Sequence, residues 1–154
     1  MTVRPATSAD SRAVWEWRND PVTRAVSVTT SEVPWAGHSS WFEAVLADPS
    51  RHLLVGSCGD ERVGVVRFDA LGPGAWEVSV NLAPGARGRG LAVPLLRAGR
   101  AWLGGHERVE SVKALVSDSN EASLRTFRSA GYTQSSTADG WTTLVLVGTA
   151  PSRP

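Results

Sequence analysis

In "APGARGRGLAVPLLRAG", residues 83 to 99, Gly85, Gly88 and Gly90 are interleaved with Arg87 and Arg89, and an apolar helical pattern starts directly behind them. Residues without a Cβ let the backbone turn tightly and come close to a ligand. The free N–H groups of a helix's first turn then converge on one spot, which the helix dipole makes attractive to an anion such as a phosphate. A tight turn with solvated arginines fits the same residues. A Walker loop is excluded, because no lysine or hydroxyl follows Gly90. A dinucleotide-binding βαβ unit fits poorly. Further strands precede the loop, and the strand behind its helix, "VESVKALVS", ends at Ser117 with Asp118 beyond it.

Just upstream, "WEVSVNL" alternates strictly, with Trp76, Val78, Val80 and Leu82 against Glu77, Ser79 and Asn81. Glu77 is therefore a carboxylate on a polar strand face near the loop. It suits a proton acceptor or a solvated surface charge. Asn120 opens "NEASLRTFRSAG" and suits a helix cap. Tyr132 is the only tyrosine and reads as a buried aromatic or, less readily, a proton donor. Cys58, the only cysteine, rules out an internal disulfide and reads as a small buried hydrophobe. It fits a reducing compartment, so a cytoplasmic location is expected.

These residues need elements to hold them. "TVRPA" suits a short first strand. A helix through "SRAVWEWRND", capped by Ser8 or Asp10, carries Val14 and Trp17 on one face and stops at Pro21. "EVPWAGHSSWFEAVLADP" suits a second helix with His38, Trp41, Phe42 and Val45 at helical spacing. "HLLVGSC" and "RVGVVRFDAL" read as strands around "GDE", followed by the turn "LGPGA" and the alternating strand. Behind the glycine loop, Leu91, Leu95, Leu96, Gly99 and Trp102 form a helical stripe that Gly104 and Gly105 end. A strand, the helix stopped by Gly131, and a hairpin around "ADG" complete the chain. The order is β, α, α, β, β, β, α, β, α, β, β. It predicts an α/β domain with a mixed, mostly antiparallel sheet of six to seven strands and about four helices.

The 154 residues suit one domain over 1–148 with a loose tail at 149–154. Net charge is +1, with 42% hydrophobic and 20% charged residues, so no overall field points to nucleic acid or membrane. The first thirty residues are polar and broken by Pro5 and Pro21, unlike a signal peptide or membrane span.

The motifs together resemble the GCN5-related N-acetyltransferase (GNAT) superfamily. "RGRGLA", Arg87 to Ala92, is similar to its [QR]-x-x-G-x-[GA] loop, "WEVSVNLAP" to its fourth strand, and "NEASLRTFRSAGY" to N-x-x-S-x-x-x-[YF]-x-x-x-G-[FY]. The resemblance implies a GNAT fold and an enzyme that uses acetyl-CoA to acetylate a primary amine. By the same likeness the amides of Arg87, Gly88, Arg89, Gly90, Leu91 and Ala92 grip a pyrophosphate. Backbone N–H groups near Leu82 and Ala83 polarise the acetyl carbonyl in a splayed gap, Glu77 is the base, and Asn120, Ser123 and Phe127 lie along the cofactor. Phe127 stands where many members carry a tyrosine that protonates the thiolate, and it cannot donate a proton. A non-catalytic acyl-CoA-binding domain is therefore a second reading, and a nucleotide-binding protein of another fold a third.

"WEWRNDP" and "HSSWF" resemble a subgroup with W-R-N-x-P followed by H-x-x-[WF]-[FL], whose members acetylate nucleotide-linked aminosugars, protein N-termini or polyamines. That likeness sets Trp17, Arg18, Asn19 and His38 on the acceptor side, lining or bracing it. The implied partner is a small-molecule amine, with an aminosugar ahead of a polyamine because Glu32, Glu43 and Asp48 are the only acids of the second-helix region. No metal is implied. The hairpin "TQSSTADGWTTLVLV" offers an edge that could pair two subunits.

Overall fold

A computed structural model gives the structure of residues 1–27 and 30–148. The tail expected to be loose lies outside the described residues. The elements are β1 (Thr2–Pro5), α1 (Ser11–Asn19), α2 (Pro21–Ala25), α3 (Trp35–Ala47), β2 (Arg51–Cys58), β3 (Glu61–Gly72), β4 (Ala75–Leu82), α4 (Ala92–His106), β5 (Ser111–Ser117), α5 (Glu121–Ser129), β6 (Thr133–Ala138) and β7 (Trp141–Val147). Short 3-10 turns at Ser8–Asp10 and Pro84–Ala86 precede α1 and the glycine loop.

The seven strands form one sheet in the order β1-β2-β3-β4-β5-β7-β6. Every neighbouring pair is antiparallel except β4 with β5. The expected α/β class and mixed sheet hold, with one helix more than expected. Pro21 does end α1, and it also begins α2. Its fixed φ suits the first helical position, and the Asp20 carboxylate caps the new helix by accepting from the N–H groups of Val22 and Thr23. Two further expectations need correction. α4 does not stop at Gly104–Gly105 but runs to His106, whose ring stacks on Trp102 with centroids 3.9 Å apart. Cys58, expected inside, is half-buried at the end of β2.

Strand alternation gives each face of the sheet its own core. One face buries Leu54, Val66, Phe68, Trp76, Val78, Val112, Ala114 and Leu144 against Leu95, Leu96 and Leu103 of α4 and Phe127 of α5. The other buries Leu53, Val55 and Val65 against Val14 of α1 and Phe42 and Val45 of α3. Strands β2 and β3 are apolar on both faces, which is why "HLLV" and "VGVV" read as continuous runs. Asp10, 1% exposed, ties the first turn to the sheet through Arg4 at 2.8 Å and Arg62 at 3.1 Å. These partners hold its carboxyl well below the usual range.

α4 lies close on the sheet at Gly99, where a Cβ would stand 2.7 Å from Val66 Cγ1. At Gly105 a Cβ would meet nothing within 4 Å. Gly99→Val is therefore expected to cost roughly 2–3 kcal/mol by overpacking. Gly105→Ala is expected to gain about 0.5 kcal/mol from helix propensity. Urea denaturation of both variants checks the contrast, and equal effects would refute the close approach.

Candidate active site

The parallel pairing of β4 with β5 covers only Ala75↔Ser111, Trp76↔Val112 and Glu77↔Lys113. Beyond Glu77 the two strands diverge, while β4 stays paired with β3 as far as Leu82. The N–H of Ala83 donates to Val63 O at 2.8 Å. Alternation then turns the N–H groups of Asn81, Ser79 and Glu77 toward β3 and those of Leu82 and Val80 into the gap, the Val78 N–H being the last that the pairing of Glu77 with Lys113 engages. Leu82 thus offers a donor there. Ala83 does not, because its N–H is committed to Val63.

The glycine loop leads from the end of β4 into α4. Gly88 and Gly90 have φ of 73° and 72°, the left-handed region that L side chains rarely adopt, and a Cβ on either would meet nothing within 4 Å. Leu91 is the N-cap of α4 and no side chain caps the helix, so the amides at Ala92 and Val93 begin it uncovered. Left-handed glycines, open space and an uncapped helix start suit an incoming pyrophosphate. The arginines are engaged elsewhere. Arg87 pairs with Asp20 at 2.8 Å and donates to Thr23 Oγ1, whose hydroxyl also reaches Asn81 Oδ1 at 3.4 Å. Arg89 forms a two-pronged pair with Glu61 at 3.0 and 3.1 Å. The anion-binding capacity of the loop thus rests on its backbone, and the Arg87 side chain joins the loop to α2.

The helix motif is divided between surface and core. Asn120 caps α5, accepting from Ser123 N at 3.1 Å, and Ser123 is half-buried in the first turn. Phe127, expected along the cofactor, is 2% exposed and packs edge-on against Tyr132 with centroids 5.0 Å apart, so it belongs to the core. Tyr132 is equally buried, and burial pushes its hydroxyl up to about 12, a poorer acid than a free tyrosine.

On the other face, Glu77 is half-buried, opposite Asp69 on β3 and Lys113 on β5. It shares that face with Arg67, Ser79 and Asn81. Among the acceptor-side candidates, Trp17 is half-buried against the core. Arg18 lies over the Trp41 ring at 4.5 Å and donates to His38 Nδ1 at 3.1 Å. His38 is fully buried, and its Nε2–H donates to Ser11 O at 2.9 Å. Asn19 clamps Val33, donating to its carbonyl at 2.8 Å and accepting from its N–H at 2.7 Å. His38 and Asn19, expected as substrate-binding, are therefore braces between α1, α3 and the chain before α3. Arg18 and Trp17 stay partly open.

Residues 1–133 match the acetyltransferase (GNAT) domain family. The chain belongs to that family. This GNAT chain has no significant match among curated protein sequences. Its fold is similar to that of spermidine N-acetyltransferase from Vibrio cholerae, solved with CoA and spermine (TM-score 0.84, 12% identity, 95% of this chain and 94% of that one). It is also similar to an aminoglycoside acetyltransferase solved with coenzyme A (TM-score 0.80, 22% identity, 95% and 94%). A third is the ribosomal-protein-alanine N-acetyltransferase from Brucella melitensis (TM-score 0.79, 23% identity, 96% and 99%).

A surface depression of this GNAT domain, lined by Pro73, Trp76 and Arg108 among others, lies at the start of β4, the end away from the glycine loop, and gathers none of the candidate residues. Sequence reasoning missed Asp20, Thr23, Arg51, Arg67 and Asp69. Only Arg67 and Asp69 left a signal, as the polar positions alternating with Val66 and Phe68 in "VVRFD".

Burial, together with the neighbouring Arg18 charge, pushes the His38 imidazole below its usual value near 6.5. The unfolded chain then binds the proton more readily, so stability is full above about pH 6.5 and falls as pH drops below it. The slope from this one group is at most ~1.4 kcal/mol per pH unit. Urea midpoints from pH 7.5 to 5 should fall more steeply for the native protein than for His38→Gln. Parallel curves would show that His38 is not held neutral.

Proposed function

We propose that the chain is an acetyl-CoA-dependent N-acetyltransferase that moves an acetyl group directly to a primary amine of a small molecule. An amino group on a nucleotide-linked aminosugar is the acceptor class its side chains suit. The observation that carries this reading is the gap between β4 and β5, open beyond Val78 and leading to a glycine loop with an uncapped helix start.

The backbone of Gly88 to Ala92 suits the pyrophosphate of the cosubstrate, and the open edge of β4 suits its extended arm. Bound acetyl-CoA supplies the activated acyl group. The Leu82 N–H, turned into the gap, is the donor for a carbonyl there, and a preorganised donor of this kind favours charge developing on oxygen. Glu77 accepts the proton of the incoming ammonium, directly or through one water, since an ammonium has no lone pair with which to attack. The buried Phe127 and Tyr132 do not furnish an acid. Solvent or the proton released by the amine meets the thiolate, which needs little help because a thiol is already a moderate acid.

Acetyl-CoA at saturation should raise the melting temperature by mass action, and Gly90→Glu, strained and negatively charged at the loop, should abolish the rise. Glu77→Gln should keep the rise while lowering kcat by about 10²- to 10⁴-fold. A Glu77→Gln enzyme of native rate would remove Glu77 as the base. Absence of any shift with acetyl-CoA would remove the whole reading.

A further inference from the structure

Three guanidinium groups surround the indole of Trp41. Arg18 lies 4.5 Å, Arg67 5.4 Å and Arg51 5.8 Å from the ring centroid. One carboxylate lies among them. Asp69 accepts from Arg51 Nε at 2.9 Å and from Arg67 Nε at 3.0 Å. Arg18 spends one N–H on the neutral ring of His38. Among the described residues Arg18 has no carboxylate partner, and the terminal N–H groups of Arg51 and Arg67 have no acceptor. Nor are these side chains simply solvated. Arg51 is 27% exposed and Arg67 28%, and burial together with the Arg67 charge lowers the Arg18 pKa. Like charges held this close in a half-buried cluster repel, unless an anion joins them.

Position gives the cluster its meaning. Arg67 stands opposite Ser79 and Asp69 opposite Glu77, all on the face covered by α1 and α3. Arg67 is therefore the cross-strand diagonal neighbour of Glu77, at a backbone separation of about 7–8 Å. Other charges near this region are Lys113, exposed across from Glu77, Asp48, near Arg51 but occupied by Ser50, and Asp20 and Arg87, paired with each other beside Thr23 and Asn81. A polycation approaching Glu77 would pass guanidinium groups. An amine with a negative group a few bonds away would find a partner at each end, because a guanidinium fork matches phosphate and carboxylate alike.

We propose that Arg18 and Arg67, stacked on Trp41, form an anion subsite that selects acceptors bearing a phosphate or carboxylate beside the amine that Glu77 deprotonates. The proposal rests on the acetyltransferase reading and narrows its acceptor to an anionic amine, against polyamines and aminoglycosides.

Two measurements test it. In the first, protein saturated with coenzyme A, so that the glycine loop is filled, is titrated calorimetrically with pyrophosphate and with malonate. Saturable binding that weakens about tenfold or more in Arg18→Gln and Arg67→Gln, the loss of one charge-assisted hydrogen bond, is expected. Arg67→Lys should recover some of it. Circular dichroism shows that each variant is folded, and the Gly90→Glu protein repeats the titration with the loop site disabled. In the second, acetyl transfer is compared within matched pairs, glucosamine 6-phosphate against glucosamine and alanine against alaninamide, with spermidine alongside. The anionic member should lead by about tenfold or more in kcat/KM. Arg67→Gln should erase that lead through KM rather than kcat, and whichever pair shows the larger lead tells phosphate from carboxylate. Anion binding that is absent, or indifferent to both substitutions, overturns the subsite, as does equal use of the neutral partners or preference for spermidine. Arginine-dependent anion binding without acetyl transfer to any amine upholds the subsite and counts against the acetyltransferase reading alone.

Discussion

The parallel ladder between β4 and β5 ends after Glu77, and the active-site geometry depends on that ending. A sheet whose central strands diverge would lose its hydrogen bonds to no purpose unless something entered the gap, since unpaired strand groups are costly away from water. The split does not divide the molecule, because α4 under β1, β3 and β4 packs on α5, which lies against β5. Leu95, Leu96 and Leu103 belong to the same cluster as Val66 and Phe68 on one side of the gap and Val112 and Ala114 on the other. One face of the sheet thus supplies cohesion, and the opening leaves the edge of β4 unpaired.

The same economy governs the loop and the helices α1 and α2. The backbone of the glycine loop is left free, and its arginines are drawn into ion pairs with Asp20 and Glu61. Through Arg87, Asp20, Thr23 and Asn81, the short α2 is tied to the loop and to the exit of β4. His38 has a similar role deeper in the fold, held neutral between Arg18 and Ser11 so that Arg18 is aimed across Trp41 toward Arg67.

Much of this was legible in the chain. Strict alternation in "WEVSVNL" gave Glu77 its face, the glycine spacing marked the loop, and Asn120 declared a cap, because each is a local property of a few neighbouring residues. His38 and Asn19 were legible as residues that line or brace an acceptor side, but the groups they brace were not. Both are polar side chains whose partners, Ser11 and Val33, come from other segments of the chain. Phe127 shows the converse. A position in a motif says where a residue stands along a helix, and burial against Tyr132 depends on how that helix sits on the sheet.

By itself, then, the sequence determined the element order apart from α2 and the tight glycine turn before α4, both written in periodicity and backbone preference, and its motifs carried the resemblance to the family to which the chain belongs. Only the tertiary structure decided where β4 leaves β5, which N–H groups face the gap, and that Arg18, Arg51 and Arg67 meet on one indole. Those arginines come from a helix and two strands. Charges distant in sequence act on one another only after folding brings them within a few ångströms and removes the water between them.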